Sequence, residues 1–138
     1  MIRPPAGSTI VAVASDFPAI TRPWLRQQNL HHCQLHFVED SPSKDLTDAL
    51  IEAIDNDTSI VAVSSVQFAT GSTVDINRIA KTVSDVDARL VVDVTQELGA
   101  RTVDVSSWSA DAVVCSGYKG LGGHGGVAVA AMSPRPRA

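Results

Sequence analysis

The stretch "SIVAVSSVQFATGSTVDINRIAKTVSDVDARLVVDV", Ser59 to Val94, decides the fold. It opens on "SIVAVSSV" (Ser59 to Val66), a continuous β-branched run of the kind expected in a strand covered on both faces. "TGSTVDINRIAKTV" follows, and its Ile76, Ile79, Ala80 and Val83 fall on one helical face. "RLVVDV" (Arg89 to Val94) is a second short apolar run. Strand, helix, strand at this spacing predicts a βαβ unit, and therefore a parallel sheet.

The same alternation extends in both directions. Upstream, "TIVAVAS" (Thr9 to Ser15) predicts another buried strand, and "FPAITRPWLRQQN" a loop followed by a short helix near Pro23. "HCQLHFVE" alternates, with Cys33, Leu35 and Phe37 on one face and His32, Gln34 and His36 on the other, so it predicts a strand with one polar side. In "SPSKDLTDALIEAI" the residues Leu46, Ala49, Leu50, Ala53 and Ile54 keep helical spacing, and Ser41-Pro42 or Ser43 is the expected start. Downstream, "DAVVCS" (Asp111 to Ser116) and "GGVAVAAM" (Gly125 to Met132) predict two further strands.

The expectation is an α/β fold, a mostly parallel sheet with flanking helices, in one domain over residues 1–132. "SPRPRA" (133–138) is expected to be a frayed tail, and Trp24 and Trp108 to be packing residues.

Composition narrows the function classes. The chain has 138 residues, 44% hydrophobic and 19% charged, with a mean hydropathy of +0.10, which fits one ordinary globular core. A net charge of −4 with scattered Lys and Arg argues against nucleic acid, which needs a clustered basic face. No apolar run approaches a membrane span, and "MIRPPAGS" has no stretch of signal-peptide type. Cys33 and Cys115 lie in apolar runs without CxxC spacing, as expected of reduced core thiols in a cytoplasm. His31, His32 and His36 beside Cys33 invite a metal site. Alternation sets Cys33 opposite His32 and His36, with no carboxylate to complete the set, so a solvated strand face is expected and no metal.

Ligands of such sheets gather at the carboxyl ends of the strands. Ser15-Asp16-Phe17, Asp93-Val94-Thr95-Gln96 and the segment from Ser116 to Lys119 all fall there. The last opens "SGYKGLGGHGG" (Ser116 to Gly126), a lysine among six glycines with no acid beside it. Three readings compete. Gly120, Gly122 and Gly125 fit G-x-G-x-x-G, but a nucleotide site of that type needs a helix next, and a strand-like segment follows. A P-loop places its lysine after its glycines, whereas Lys119 precedes Gly120. A lysine without a carboxylate partner also suits a Schiff base with a cofactor aldehyde, and pyridoxal 5'-phosphate (PLP) would further need an acid at its ring nitrogen, for which Asp93 is the candidate. The third reading is a remnant that retains the motif without the chemistry.

At these residues the chain resembles the class V aminotransferase family, fold-type I PLP-dependent enzymes that include cysteine desulfurases, kynureninases and an isopenicillin N epimerase-like group. The resemblance rests on "VVDVTQELGARTVDVSSWSADAVVCSGYKGLGGHGG" (Val91 to Gly126). It has the family's Asp-x-x-Gln, Gly, Val-Asp, Ala-Asp and Ser-Gly-(His or Tyr)-Lys in order. "VAVSSVQFATGSTVDINRIAK" and "DFPAITRPWL" extend it over nearly all of the chain to Met132.

The resemblance implies a role for each matching position. Lys119 would be the Schiff-base lysine and would later shuttle the α-proton. Asp93 would hold the pyridine nitrogen, and Gln96 would bond the phenolic oxygen. Ser116 and Tyr118 would bind the phosphate, and Phe17 would stack on the ring. It implies an amino-acid substrate and, for full-length members of the family, a homodimer. Desulfurase, lyase, epimerase and transaminase outcomes share these residues. Phe68 and Tyr118 stand where desulfurases usually carry Asn and His, which leans toward the kynureninase-like or epimerase-like branches. Asp-x-x-Gln leans away from kynureninase. The match covers the central part of the large domain. A fragment is therefore expected, lacking the N-terminal segment with its glycine-rich loop and the small C-terminal domain. The alternative is a non-catalytic remnant or assembly partner.

Overall fold

The computed structural model describes residues 2–134. Six strands form one sheet: β1 (Thr9–Val13), β2 (Gln34–Val38), β3 (Thr58–Ser64), β4 (Arg89–Asp93), β5 (Ala112–Ser116) and β6 (Ala128–Met132). Three helices connect the first four: α1 (Pro18–His31), α2 (Leu46–Ala53) and α3 (Ile76–Asp85). The spatial order is β2-β1-β3-β4-β5-β6, parallel except for the antiparallel β5–β6 pair. The expected fold class is the observed one.

Handedness then fixes the layers. α1 links β1 to β2 in one direction along the sheet. α2 and α3 run in the other, so right-handed crossovers place α1 on one face and α2 and α3 on the opposite face. Packing follows. Ile20 and Trp24 of α1 cover Ile10, Ile60, Ala62, Val91 and Ala112. Leu46, Leu50, Ile76, Ile79 and Val83 cover the intervening Val11, Val13, Val61, Val63, Leu90 and Val92. The four apolar residues assigned to one face of α3 are the four it buries, and a fully buried Ile or Val contributes about 1.5–3 kcal/mol.

Local details depart from the sequence expectations. α1 starts at Pro18, where a missing N–H costs nothing, and runs on through Pro23. Pro23 is exposed, so the Ala19 carbonyl that it leaves without a helical partner faces water. α2 begins later than Ser41 or Ser43, because Asp45 caps it by accepting from the Asp48 N–H at 3.1 Å. As expected, the segment after the glycines is a strand, β6, and not the helix that a nucleotide site would need.

All five β6 residues are exposed, since no helix of the described residues reaches that edge. Ser133 is still tied to the sheet, donating to the Asp111 carbonyl at 2.9 Å, and residues 135–138 of the expected tail lie outside the described residues. Both tryptophans are buried. No helix among the described residues is long and apolar enough to cross a membrane.

Candidate functional site

The chain leaves β1 and β3, which are neighbours, in opposite directions along the sheet. A crevice opens at the carboxyl ends of such a pair. Period-two alternation puts Ser64, Asp93 and Ser116, the last residues of β3, β4 and β5, on the α1 face, and Ser64 stands beside Asp93 in register. One cleft there is lined by Phe17, Ala19, Ser64, Phe68, Asp93, Thr95, Gln96, Ser116, Tyr118 and Lys119. All six residues singled out by sequence are among them. The cleft is shallow, enclosing about 20 Å³. A larger open groove of about 510 Å³ lies between the β2–α2 and β3–α3 loops. Its Asp40 carboxylate is already bonded to Thr70 and Ser72, and its Lys44 is paired with Glu52. The smaller cleft, which gathers an acid, an amide, a phenol and an unpaired amine, is the better placed for chemistry.

The lysine loop is built by close backbone contact. A Cβ on Gly120 would run into the Leu98 carbonyl, and one on Gly99 into the Gly120 carbonyl. The loop then turns sharply: Gly122 at φ +64° donates its N–H to the Lys119 carbonyl at 2.9 Å, and Gly123 donates to that of Gly117 at 2.7 Å. Lys119 is half-buried, and Nζ lies 5.8 Å from the ring centroids of both Phe17 and Tyr118. It makes no ion pair among the described residues.

Asp93 is buried, with Oδ1 accepting from the Thr95 N–H at 2.7 Å, while Oδ2 has no hydrogen-bond partner among the described residues. Thr95 Oγ1 in turn accepts from the Ser116 N–H at 2.9 Å, joining the ends of β4 and β5. A carboxylate with one oxygen fixed and one open to the cleft is suited to hold a protonated ring nitrogen.

Sequence reading assigned no role to Asp16, Ser64 or Thr95. Asp16 is 4% exposed. Its Oδ1 accepts from the Phe17 N–H at 2.7 Å and the Ser64 hydroxyl at 2.6 Å. Its Oδ2 accepts from the Ser64 N–H at 2.8 Å and the Gln67 amide at 3.5 Å. The signal available was an Asp directly after a buried strand; its partners lie about 50 residues away. His124, beside the lysine loop, does not line the cleft. Burial, and then the Asp93 charge, pushes the Cys115 thiol up from its ordinary range, and burial does the same for Cys33.

Comparison with known proteins gives a consistent picture. The class-V aminotransferase family model matches residues 3–137. A probable cysteine desulfurase of Pyrococcus abyssi is 33% identical over 125 residues, which cover 89% of this chain and 31% of that protein. The apo structure of a cysteine desulfurase from Thermococcus onnurineus NA1 superposes with a TM-score of 0.85 at 28% identity, over 94% of this chain and 32% of that one. A mutant of C-DES with glycine covalently linked to its PLP cofactor shares the fold, with a TM-score of 0.84 at 18% identity, over 94% of this chain and 36% of that one. The chain thus spans about a third of the length of these relatives.

Proposed function

The chain belongs to the class-V aminotransferase family, and on that footing we propose that it carries the cofactor floor of a PLP enzyme acting on an amino acid, with Lys119 as the cofactor lysine. The family is PLP-dependent, and the chain is cysteine desulfurase-like in sequence and fold. The observation that supports the reading is the convergence of Phe17, Asp93, Gln96, Ser116, Tyr118 and Lys119 on one cleft, from segments as far apart as β1 and β5.

The residues present fit the cofactor. Lys119 would link it covalently through Nζ, and the same amine, once released, would carry the proton to and from the substrate α-carbon. Asp93 Oδ2 would keep the ring nitrogen protonated. Gln96 would donate its amide hydrogen to the phenolic oxygen. The Ser116 and Tyr118 hydroxyls would donate to the phosphate, and Phe17 would lie against the ring. Bound PLP supplies the electron sink that weakens bonds at the α-carbon of an amino acid. The donor groups of Gln96, Ser116 and Tyr118 and the open oxygen of Asp93 match these tasks; the aromatic ring and the lysine amine match the rest. A reducing compartment such as the cytoplasm suits the two free, buried cysteines.

A second reading, an assembly partner without catalysis, is favoured by one observation. β6 and the end of the glycine loop expose Leu121, Val127, Val129 and Met132. Titration with PLP separates the two. The enzyme reading expects a visible absorbance band that is lost in Lys119→Ala and weakened in Asp93→Asn. No band in the wild-type chain would leave the assembly reading.

A further inference from the structure

The two tryptophans are buried, whereas Phe17 and Phe68 remain 38% and 45% exposed and belong to neither core cluster. Their centroids are 5.2 Å apart at an interplanar angle of 83°, an edge-to-face pair. Phe17 follows β1 and Phe68 follows β3, so the pair stands at the crevice where the sheet reverses direction. A pair of exposed rings standing together at such a crevice suits a ligand-binding surface. Phe17 meanwhile shows its ring to Nζ of Lys119 at 5.8 Å.

One buried carboxylate reaches both segments. Asp16 accepts from the N–H of Phe17 at 2.7 Å, and from the side chain of Gln67, the neighbour of Phe68, at 3.5 Å. Gln67 is itself held on three sides. Its amide donates to the Ser64 carbonyl at 3.2 Å, its N–H donates to the Ser72 carbonyl at 2.8 Å, and its carbonyl accepts from Gly71 at 2.9 Å. The loop that carries Phe68 is therefore tied, through the Gln67 side chain, to Asp16, the residue before Phe17.

We infer that Phe68 is a positioning residue: its ring, set against that of Phe17, holds Phe17 as a preformed stacking face for a flat cofactor ring bound at Lys119. The inference rests on the PLP reading above. An edge-to-face contact fixes the tilt of Phe17 before any ligand arrives, so less rotamer freedom is lost on binding.

The test is a PLP titration of the full chain, followed by visible absorbance, for wild type, Phe68→Ala and Phe68→Tyr, with the unfolding midpoint of each cofactor-free protein. The expected result is a PLP dissociation constant raised roughly 2- to 10-fold in Phe68→Ala, the range that such a ring pair is worth. The cofactor-free midpoint should barely move, and Phe68→Tyr should restore the affinity. Unchanged affinity in Phe68→Ala overturns the inference while leaving the PLP reading intact. So does a loss that tracks an equal fall in cofactor-free stability and is not rescued by Tyr. A wild-type chain that takes no PLP overturns both.

Discussion

Gly99 and Gly120 meet backbone to backbone, closely enough that a Cβ on either would overlap a carbonyl of the other's segment. This contact locks the lysine loop to the turn that follows Asp93 and Gln96. Gly120→Ala should therefore displace the neighbouring Lys119. The overlap is with backbone, which cannot rotate away, so the expected cost is about 2 kcal/mol, or roughly 6–10 °C in the unfolding midpoint. PLP binding should fall with it. Gly125, where an added Cβ would meet nothing within 4 Å, is the control: Gly125→Ala should leave both unchanged.

Thr95 links the two halves of the proposed site, donating its N–H to Asp93 and accepting from Ser116. Thr95→Val keeps the shape and the N–H but removes the acceptor for the Ser116 N–H. Stability should drop by about 1–2 kcal/mol, and denaturant titration measures it. PLP affinity should drop further than stability accounts for, because Ser116 loses its fixed orientation while Asp93 keeps its own.

The buried thiols give the chain an alkaline limit. Cys33 and Cys115 are raised in the folded state by burial, so folded protein holds their protons to higher pH than unfolded protein does. Their contribution is fully present below the unfolded thiol value, about 8.5. It is lost as the pH rises above that value. Unfolding midpoints should fall from about pH 8.5 upward, and less so in the Cys33→Ala, Cys115→Ala double variant. At neutral pH an aromatic disulfide reagent should react slowly with the native chain and rapidly after denaturation.

Much of this was legible along the sequence because it is local. The β-branched runs around Val11, Val61 and Val92 announce buried strands, and the spacing of Ile76, Ile79, Ala80 and Val83 announces the buried face of α3. Phe17, Asp93 and Lys119 could be singled out because each lies at or just beyond the carboxyl end of such a strand, and the family resemblance then gave each a role. What stayed hidden depends on distant partners or on what covers a surface. The helix expected near Pro23 begins earlier, at Pro18, and only the exposure of Pro23 shows why the helix runs through it. Asp16 looks like any turn acid until Ser64 and Gln67 are brought beside it. The exposure of every β6 residue goes with the lack of a covering helix among the described residues, which an apolar run cannot announce.

Covalent capture tests the central claim most directly. The chain has three lysines, Lys44, Lys81 and Lys119. Lys44 is paired with Glu52 and Lys81 is exposed on a helix, whereas Lys119 has no ion pair among the described residues and lines the cleft. The chain would be mixed with PLP and reduced with borohydride, and the modified lysine mapped by mass spectrometry, with Lys119→Ala as control. The account predicts labelling confined to Lys119 and lost in the variant. Labelling spread evenly over Lys44 and Lys81, or none at all, would contradict it.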